Sequence, residues 1–175
     1  MPIYATTKES DWEVAPEGLA DAICIDVVDM GIVDSKKWGP GPKIKIVWEL
    51  EEKDSKGRPF RVSRRFTPSL ADKSHLKPFL ESWRGKKFTP EEKKQFDIEK
   101  LIRVYCQLSI THNLGDEGQV WPNVQACVQP SRNAKRFEPS PDYVREKDRP
   151  HEYTHPAFNG KANGRDANDD SYTPF

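Results

Sequence analysis

Between residues 19 and 128, apolar residues recur at every second position in five short segments, and this alternation constrains the fold most strongly. Successive side chains of a strand point to opposite faces, so each segment predicts a strand with one buried face. The segments are LADAICIDVVDMGIV (19–33), KIKIVWEL (43–50), FRVSRRFT (60–67), RVYCQLSIT (103–111) and VWPNVQACVQP (120–130).

The parity of each segment predicts which side chains face inward. In the first strand, Ile23, Ile25 and Val27 share one side, and Cys24 and Asp26 share the other. In the remaining strands the predicted inward residues are Ile44, Ile46, Trp48 and Leu50; Phe60, Val62 and Phe66; Val104, Cys106, Leu108 and Ile110; and Val124, Ala126 and Val128. Arg64 has the wrong parity for the third strand, which predicts a bulge or a strand end beside it.

The period changes once, between the third and fourth segments. Leu76, Phe79, Leu80 and Trp83 are spaced as one face of a helix, with Ser74 as the expected N-cap and Pro78 in the first turn. Thr89-Pro90-Glu91-Glu92 is the pattern of a capping box with proline at the first helical position, and it predicts a second, short helix.

Three strands, a helical insert and two further strands are the order of the OB-fold, a partly open five-stranded Greek-key barrel. We therefore expect an all-β fold with a helical insert, an OB-fold-like barrel over 16–130. A five-stranded sheet with a helix on one face would give the same alternation. An N-terminal arm is expected over 1–15.

After Pro130 the periodicity ends. The sequence predicts a flexible linker over 131–165 and an acidic, disordered tip over 166–175, which carries three acidic residues and no basic ones. The formal net charge of the whole chain is zero.

Composition excludes several classes of protein. No apolar run is long enough to span a membrane, and the first residues lack the pattern of a secretory signal. Three widely spaced cysteines favour reduced thiols in a cytoplasm and give no metal site. The sequence has no glycine-rich phosphate loop and no recognisable nucleophile motif, so we expect no catalysis and no cofactor.

A basic patch is the main candidate binding site. Lys43 and Lys45 project from the outer face of the second strand, and Arg61 and Arg65 from the outer face of the third. Lysines and arginines can follow phosphates while aromatic rings stack on bases, as single-stranded nucleic acid requires. The stacking candidates are Trp38, Tyr105 and Trp121, and a further basic run follows the main helix at Arg84, Lys86 and Lys87. A merely solvated sheet face would show the same charges.

Two alternatives of other classes stay open. Glu51-Glu52-Lys53, with Asp26, Asp29 and Asp34 upstream, spells a carboxylate and lysine pattern that a metal-dependent nuclease could use. An OB-like protein-interaction module, such as an inhibitor or assembly factor, would share the fold and bind no nucleic acid.

The ending DANDDSYTPF resembles the C-terminal tip of bacterial and phage single-stranded DNA-binding proteins, which combines a short acidic run with a terminal Pro-Phe. Asp169 and Asp170 match the acidic run, and Pro174 and Phe175 match the final dipeptide. Ser171-Tyr172-Thr173 is a departure, because it separates the acids from Pro174. The domain is similar to uncharacterised phage and prophage proteins of OB type, in which a strand ending like VSRRFTPSL precedes a helix and a TPEE turn.

These resemblances imply a protein that coats and protects single-stranded DNA in the cytoplasm of a bacterial host during phage or mobile-element replication and recombination. The tip would recruit replication, recombination or repair proteins. The resemblance is compatible with a homo-oligomer.

Overall fold

The structure is a computed structural model that describes residues 12–150, and it is built on one antiparallel sheet. In chain order the elements are β1 (Gly18–Ser35), β2 (Gly39–Lys53), β3 (Pro59–Phe66), α1 (Leu76–Arg84), α2 (Pro90–Lys94), a 3-10 helix (Ile98–Leu101), β4 (Tyr105–Leu114), β5 (Val120–Val128) and a second 3-10 helix (Glu146–Asp148). The five strands lie in the order β3-β2-β1-β4-β5. The predicted five strands and helical insert are therefore confirmed.

Strand β1 is the longest and holds the two halves of the sheet together. Its first part, residues 18–23, pairs with β4, and residues 22–35 pair with β2. No ladder joins the edge strands β3 and β5 among the described strands. The edges nevertheless approach one another, because Nη1 of Arg64 on β3 donates to the carbonyls of Val124 and Gln125 on β5, at 3.1 Å each.

The main hydrophobic core lies between the inner face of the sheet and α1. Trp48 of β2 is fully buried, and its ring centroid lies 5.8 Å from that of Phe79 and 5.9 Å from that of Trp83. All four apolar residues predicted for the helix face are buried. Burying a large apolar side chain contributes on the order of 2 kcal/mol, so this aromatic cluster fixes the helix on the sheet.

The ends of the helices follow from local chemistry. Ser74 Oγ accepts from the amide of Lys77 at 3.3 Å, although the residue directly before α1 is His75. Thr89 and Glu92 form the predicted capping box on α2. Gly85 ends α1 at φ 73°, and a Cβ there would lie 2.4 Å from Nε2 of Gln129, so both backbone and packing require glycine.

A β-bulge changes the predicted faces of β1. Cys24 pairs with Trp48 and Asp26 with Val47, which leaves Ile25 as an extra residue. Cys24 therefore belongs to the main core. Ile23 and Ile25 instead form a second cluster with Val47 on the outer face, so the predicted grouping of Ile23 and Ile25 with Val27 is wrong.

A second bulge changes β5. Ile110 pairs with Val124 and Ser109 with Ala126, so Gln125 is the extra residue. Val124 and Cys127 are buried, whereas Ala126 and Val128, predicted inward, are exposed. The register around Arg64 is instead continuous, so the bulge predicted there is absent.

Val104 is a further exception, because it precedes β4 and is 40% exposed.

Residues 131–150 lie against the sheet. The sequence predicts a flexible linker over 131–165, but the first part of this stretch contacts β1, β2, β3 and β4 through the hydrogen bonds described below. We call residues 137–149 the strap. Each helix within residues 12–150 is too short or too polar to cross a lipid bilayer.

Candidate nucleic-acid interface

The outer face of the sheet carries both apolar and charged residues, and the strap lies over it. Ile23, Ile25 and Val47 are buried beneath Phe137 and Tyr143 of the strap. Three charged side chains of the same face, Asp26, Lys45 and Glu49, are also buried. A buried charge needs a hydrogen-bonded partner, and the strap supplies one to each.

Asp26 is the centre of these contacts. Its carboxylate accepts from the Tyr143 hydroxyl at 2.9 Å, from Arg145 Nε at 3.0 Å and from the Glu146 amide at 2.9 Å. Burial, together with the neighbouring Asp26 carboxylate, raises the pKa of the Tyr143 phenol. Arg145 also donates to Glu99 at 2.9 Å, which holds the pKa of that carboxyl below its usual value. The strap is thus tied to both β1 and the first 3-10 helix.

Two of the predicted DNA-binding residues form ion pairs under the strap. Lys45 is buried and pairs with Glu146. Arg61 donates through Nε to Glu49 at 3.1 Å and through Nη2 to Asp142 at 3.4 Å, and its guanidinium lies 5.0 Å from the Tyr143 ring. Both cations already have acidic partners here.

Tyr105 is also engaged by this stretch of chain. Its hydroxyl donates to the carbonyl of Phe137 at 2.5 Å, and the two rings meet edge to face at 5.8 Å. Arg136 lies over the other residue's ring, 5.8 Å from the centroid of Tyr105. Tyr105 is therefore half-buried on the outer face, beside the strap rather than in open solvent.

Lys43 and Arg65 lie toward the β1–β2 turn and are half-buried. Lys43 Nζ donates to Thr67 Oγ1 at 3.1 Å, and Arg65 pairs across the ladder with Lys45. Of the four cations predicted as one patch, these two are the ones not drawn into the strap's ion pairs by a described contact with its acidic residues.

The β1–β2 hairpin presents the most exposed aromatic ring. Trp38 is 79% exposed at the turn between the two strands, and Lys37 Nζ lies 5.0 Å from its ring centroid. Residues 30–43, which we call the hairpin, contain four lysines and a single acidic residue, Asp34. Ile32 in the same hairpin is 70% exposed.

Trp121 occupies a different position from Trp38. It pairs with Asn113 near the β4–β5 turn and is half-buried. A Cβ at Gly115 would lie 2.9 Å from the indole Nε1, so the ring packs closely on the turn backbone. The sequence grouped Trp38, Tyr105 and Trp121 as stacking candidates, and only Trp38 presents most of its ring to solvent.

The basic run after α1 is divided between an ion pair and solvent. Arg84 makes two bonds to Glu92, at 2.8 and 3.2 Å, and these lower the pKa of Glu92 to about 2. Lys86 and Lys87 are exposed.

The residues of the nuclease pattern are not gathered into a metal site. Glu51, Glu52 and Lys53 are exposed at the end of β2, whereas Asp26 is buried and bound by the strap. Within residues 12–150, no three His, Cys, Asp or Glu side chains are placed to hold a metal ion.

The predicted partner-binding residues Asp169, Asp170, Pro174 and Phe175 lie outside the described residues. A scan against models of known protein families finds no match for the chain, and a search among curated proteins finds none.

Sequence reasoning missed the strap, although two signals point to it. Ala22 to Ile25 is a continuous apolar run, and Ile46 to Trp48 is another, which indicates strands buried on both faces. Phe137 and Tyr143 are the aromatic residues that supply the missing cover.

The three thiols are buried in the sheet, and burial raises the pKa of Cys24 and Cys106. We therefore expect none of the three to react with a thiol reagent such as DTNB at about pH 8, where a free exposed thiol reacts. All three should react after unfolding in guanidinium, which serves as the control. A thiol that reacts at once in the native protein would contradict this burial.

Proposed function

We propose that the protein binds single-stranded nucleic acid, DNA in the first instance, through the hairpin and the adjoining end of the outer face. The observation that carries the proposal is Trp38, an indole exposed among lysines at the tip of a two-stranded arm. A tryptophan so exposed contributes no core packing, whereas base stacking on an aromatic ring is worth on the order of 1–3 kcal/mol.

The sheet supports an OB-type barrel. Its strand order and the helical segment between β3 and β4 agree with that topology, and Arg64 brings the two edge strands together. OB-folds bind oligonucleotides on the face of the second and third strands and with the loops after the first and fourth strands. Trp38 lies in the first of those loops and Trp121 beside the second.

The strap narrows the proposed interface. Lys45 and Arg61 are engaged with strap acids, so the phosphate contacts fall to Lys43, Arg65 and the hairpin lysines. A few such contacts, in a chain with no net charge, give modest affinity that falls steeply with salt.

The C-terminal tip adds recruitment to this proposal. Asp169, Asp170, Pro174 and Phe175 would hold replication or recombination proteins near the bound strand, as their resemblance to such tips implies. The protein would then protect single strands during phage or mobile-element replication and perform no chemistry itself.

We expect Trp38→Ala to weaken binding of a labelled oligo(dT) by about tenfold at low salt, since one stacking contact is lost. Fluorescence anisotropy measures the affinity. Trp12→Ala is the matched control, because Trp12 is also exposed, at 53%, but precedes β1.

Equal losses in the two variants would move the interface away from the hairpin. No affinity of the unaltered protein for oligo(dT) at low salt would favour a protein-interaction module. Degradation of the oligonucleotide only with magnesium would favour the nuclease.

A further inference from the structure

A groove of about 650 Å³ opens on the side of the sheet near α1, away from the hairpin. It lies between the end of α1, the segment around the first 3-10 helix, the start of β4 and the residues that follow β5. The residues that define its chemistry are Leu101, Val104, Phe96, Arg84, Arg103 and Arg136.

The groove combines an apolar floor with a cationic rim. Phe96 and Leu101 are half-buried and Val104 is 40% exposed. The Arg103 side chain is 69% exposed and Arg136 is exposed. Such a groove suits a ligand with an apolar group and several negative charges.

The rim arginines already bind carboxylates of this chain. Arg84 holds Glu92, and Arg103 Nη2 donates to Glu138 at 3.2 Å. Carboxylate geometry is therefore built into the rim, and an incoming carboxylate exchanges one ion pair for another.

The backbone fixes Arg103 in an uncommon conformation. Its φ is 70°, a left-handed value that costs a residue other than glycine on the order of 1 kcal/mol. Two backbone bonds to Cys24 hold it there, from the Arg103 amide at 2.7 Å and to the Val104 carbonyl at 3.0 Å. The fold thus maintains this arginine at the groove despite the strain.

We propose that this groove receives the chain's own C-terminal tip, residues 166–175. Phe175 would place its ring on the apolar floor, and its terminal carboxylate would meet Arg103 or Arg136. Asp169 and Asp170 would lie along the cationic rim. The ten residues carry three acidic side chains and no basic one, which matches the charge of the rim.

The length of the tether permits this docking. The described chain ends at residue 150, and Arg145 is bonded to Glu99 in the 3-10 helix that also supplies Leu101 to the groove. Residues 151–175 number 25, and a flexible chain of that length has a root-mean-square span of about 25–30 Å. A tether of this kind gives an effective concentration in the millimolar range, so weak intrinsic affinity is enough for docking.

The test uses a labelled peptide of the sequence DANDDSYTPF and the full chain carrying Phe175→Ala, so that its own tip does not compete. Anisotropy should show binding at low salt. A peptide ending in alanine, or one with an amidated C-terminus, should bind about tenfold more weakly, since ring and carboxylate are separate contacts. These comparisons require no change in the groove.

The groove is then tested by Arg103→Gln with Arg136→Gln, which should weaken the peptide by about fivefold or more. Lys36→Gln with Lys37→Gln is the matched control, because it removes two exposed cations from the hairpin, and it should leave peptide affinity within about twofold. Circular dichroism checks that each variant is folded.

Three outcomes would overturn the proposal: no peptide binding, equal weakening by both pairs of substitutions, or no dependence on the terminal ring and carboxylate. Loss of oligo(dT) affinity on the groove substitutions, with the peptide unaffected, would assign the groove to nucleic acid instead. The inference does not rest on nucleic-acid binding, since the peptide assay contains none, and either proposal can fail alone.

Discussion

Replacing Asp26 with alanine is expected to lower the free energy of unfolding by about 3 kcal/mol, the largest effect that we predict for a single polar side chain. Asp26 is 1% exposed and accepts three hydrogen bonds from the strap. Its removal leaves the Tyr143 hydroxyl and the Glu146 amide without their acceptor and Arg145 without its buried partner. Arg145 keeps Glu99 and some solvent, so the loss stays near the lower end for a broken buried ion pair.

Urea unfolding measures this loss, and Asp34→Ala is the matched control. Asp34 is exposed and lies on the same strand, so its removal should change stability by less than about 0.5 kcal/mol. Trypsin gives a second measurement, because it cleaves after Arg145 and Lys147. Asp26→Ala should expose these bonds well before the sheet unfolds. Equal stability of the two variants, with unchanged cleavage, would show that the strap is not held by Asp26.

The strands and the helix could be predicted because each is specified by local side chains. Alternation marks β2 through Ile44, Ile46 and Trp48, and the face of α1 is complete in its own nine residues. The capping box at Thr89 is equally local, since both of its bonds join residues three apart. These elements need no knowledge of the rest of the chain.

Face assignments failed where a bulge inserts one residue. Ile25 and Gln125 each shift the parity of their strands, and neither is a residue that marks a bulge in sequence. A single extra residue moves every later side chain to the other face. For this reason Cys127 is buried where Ala126 and Val128 were expected.

The site was harder to predict, because its decisive contacts are polar and distant in sequence. Lys45 and Glu146 are separated by 101 residues, and Asp26 and Tyr143 by 117. An alternating lysine or arginine has the same appearance in sequence whether it meets solvent, phosphate or a folded-back segment. Trp38 was identified correctly as an exposed ring, since the glycines and prolines around it indicate a turn.

Arg61 decides whether the strap or a nucleic acid owns the outer face. We expect Arg61→Ala to lower the free energy of unfolding by about 2–3 kcal/mol, because Glu49 is 2% exposed and would keep only the Ser140 amide as a described partner. The contact of the guanidinium with the Tyr143 ring is lost as well. Oligo(dT) affinity should stay within about twofold when measured under conditions in which the variant is fully folded.

Arg58→Ala is the control for Arg61→Ala. Arg58 lies just before β3, pairs with Asp54 and has a side chain that is 54% exposed, so its removal should cost less than about 1 kcal/mol. Urea unfolding and anisotropy are measured on both variants. A fall in oligo(dT) affinity of about fivefold or more for Arg61→Ala, with stability unchanged, would make Arg61 a phosphate contact and require the strap to leave the face. The expected result instead makes Arg61 a structural residue, and the strand must then bind along the hairpin beside Trp38.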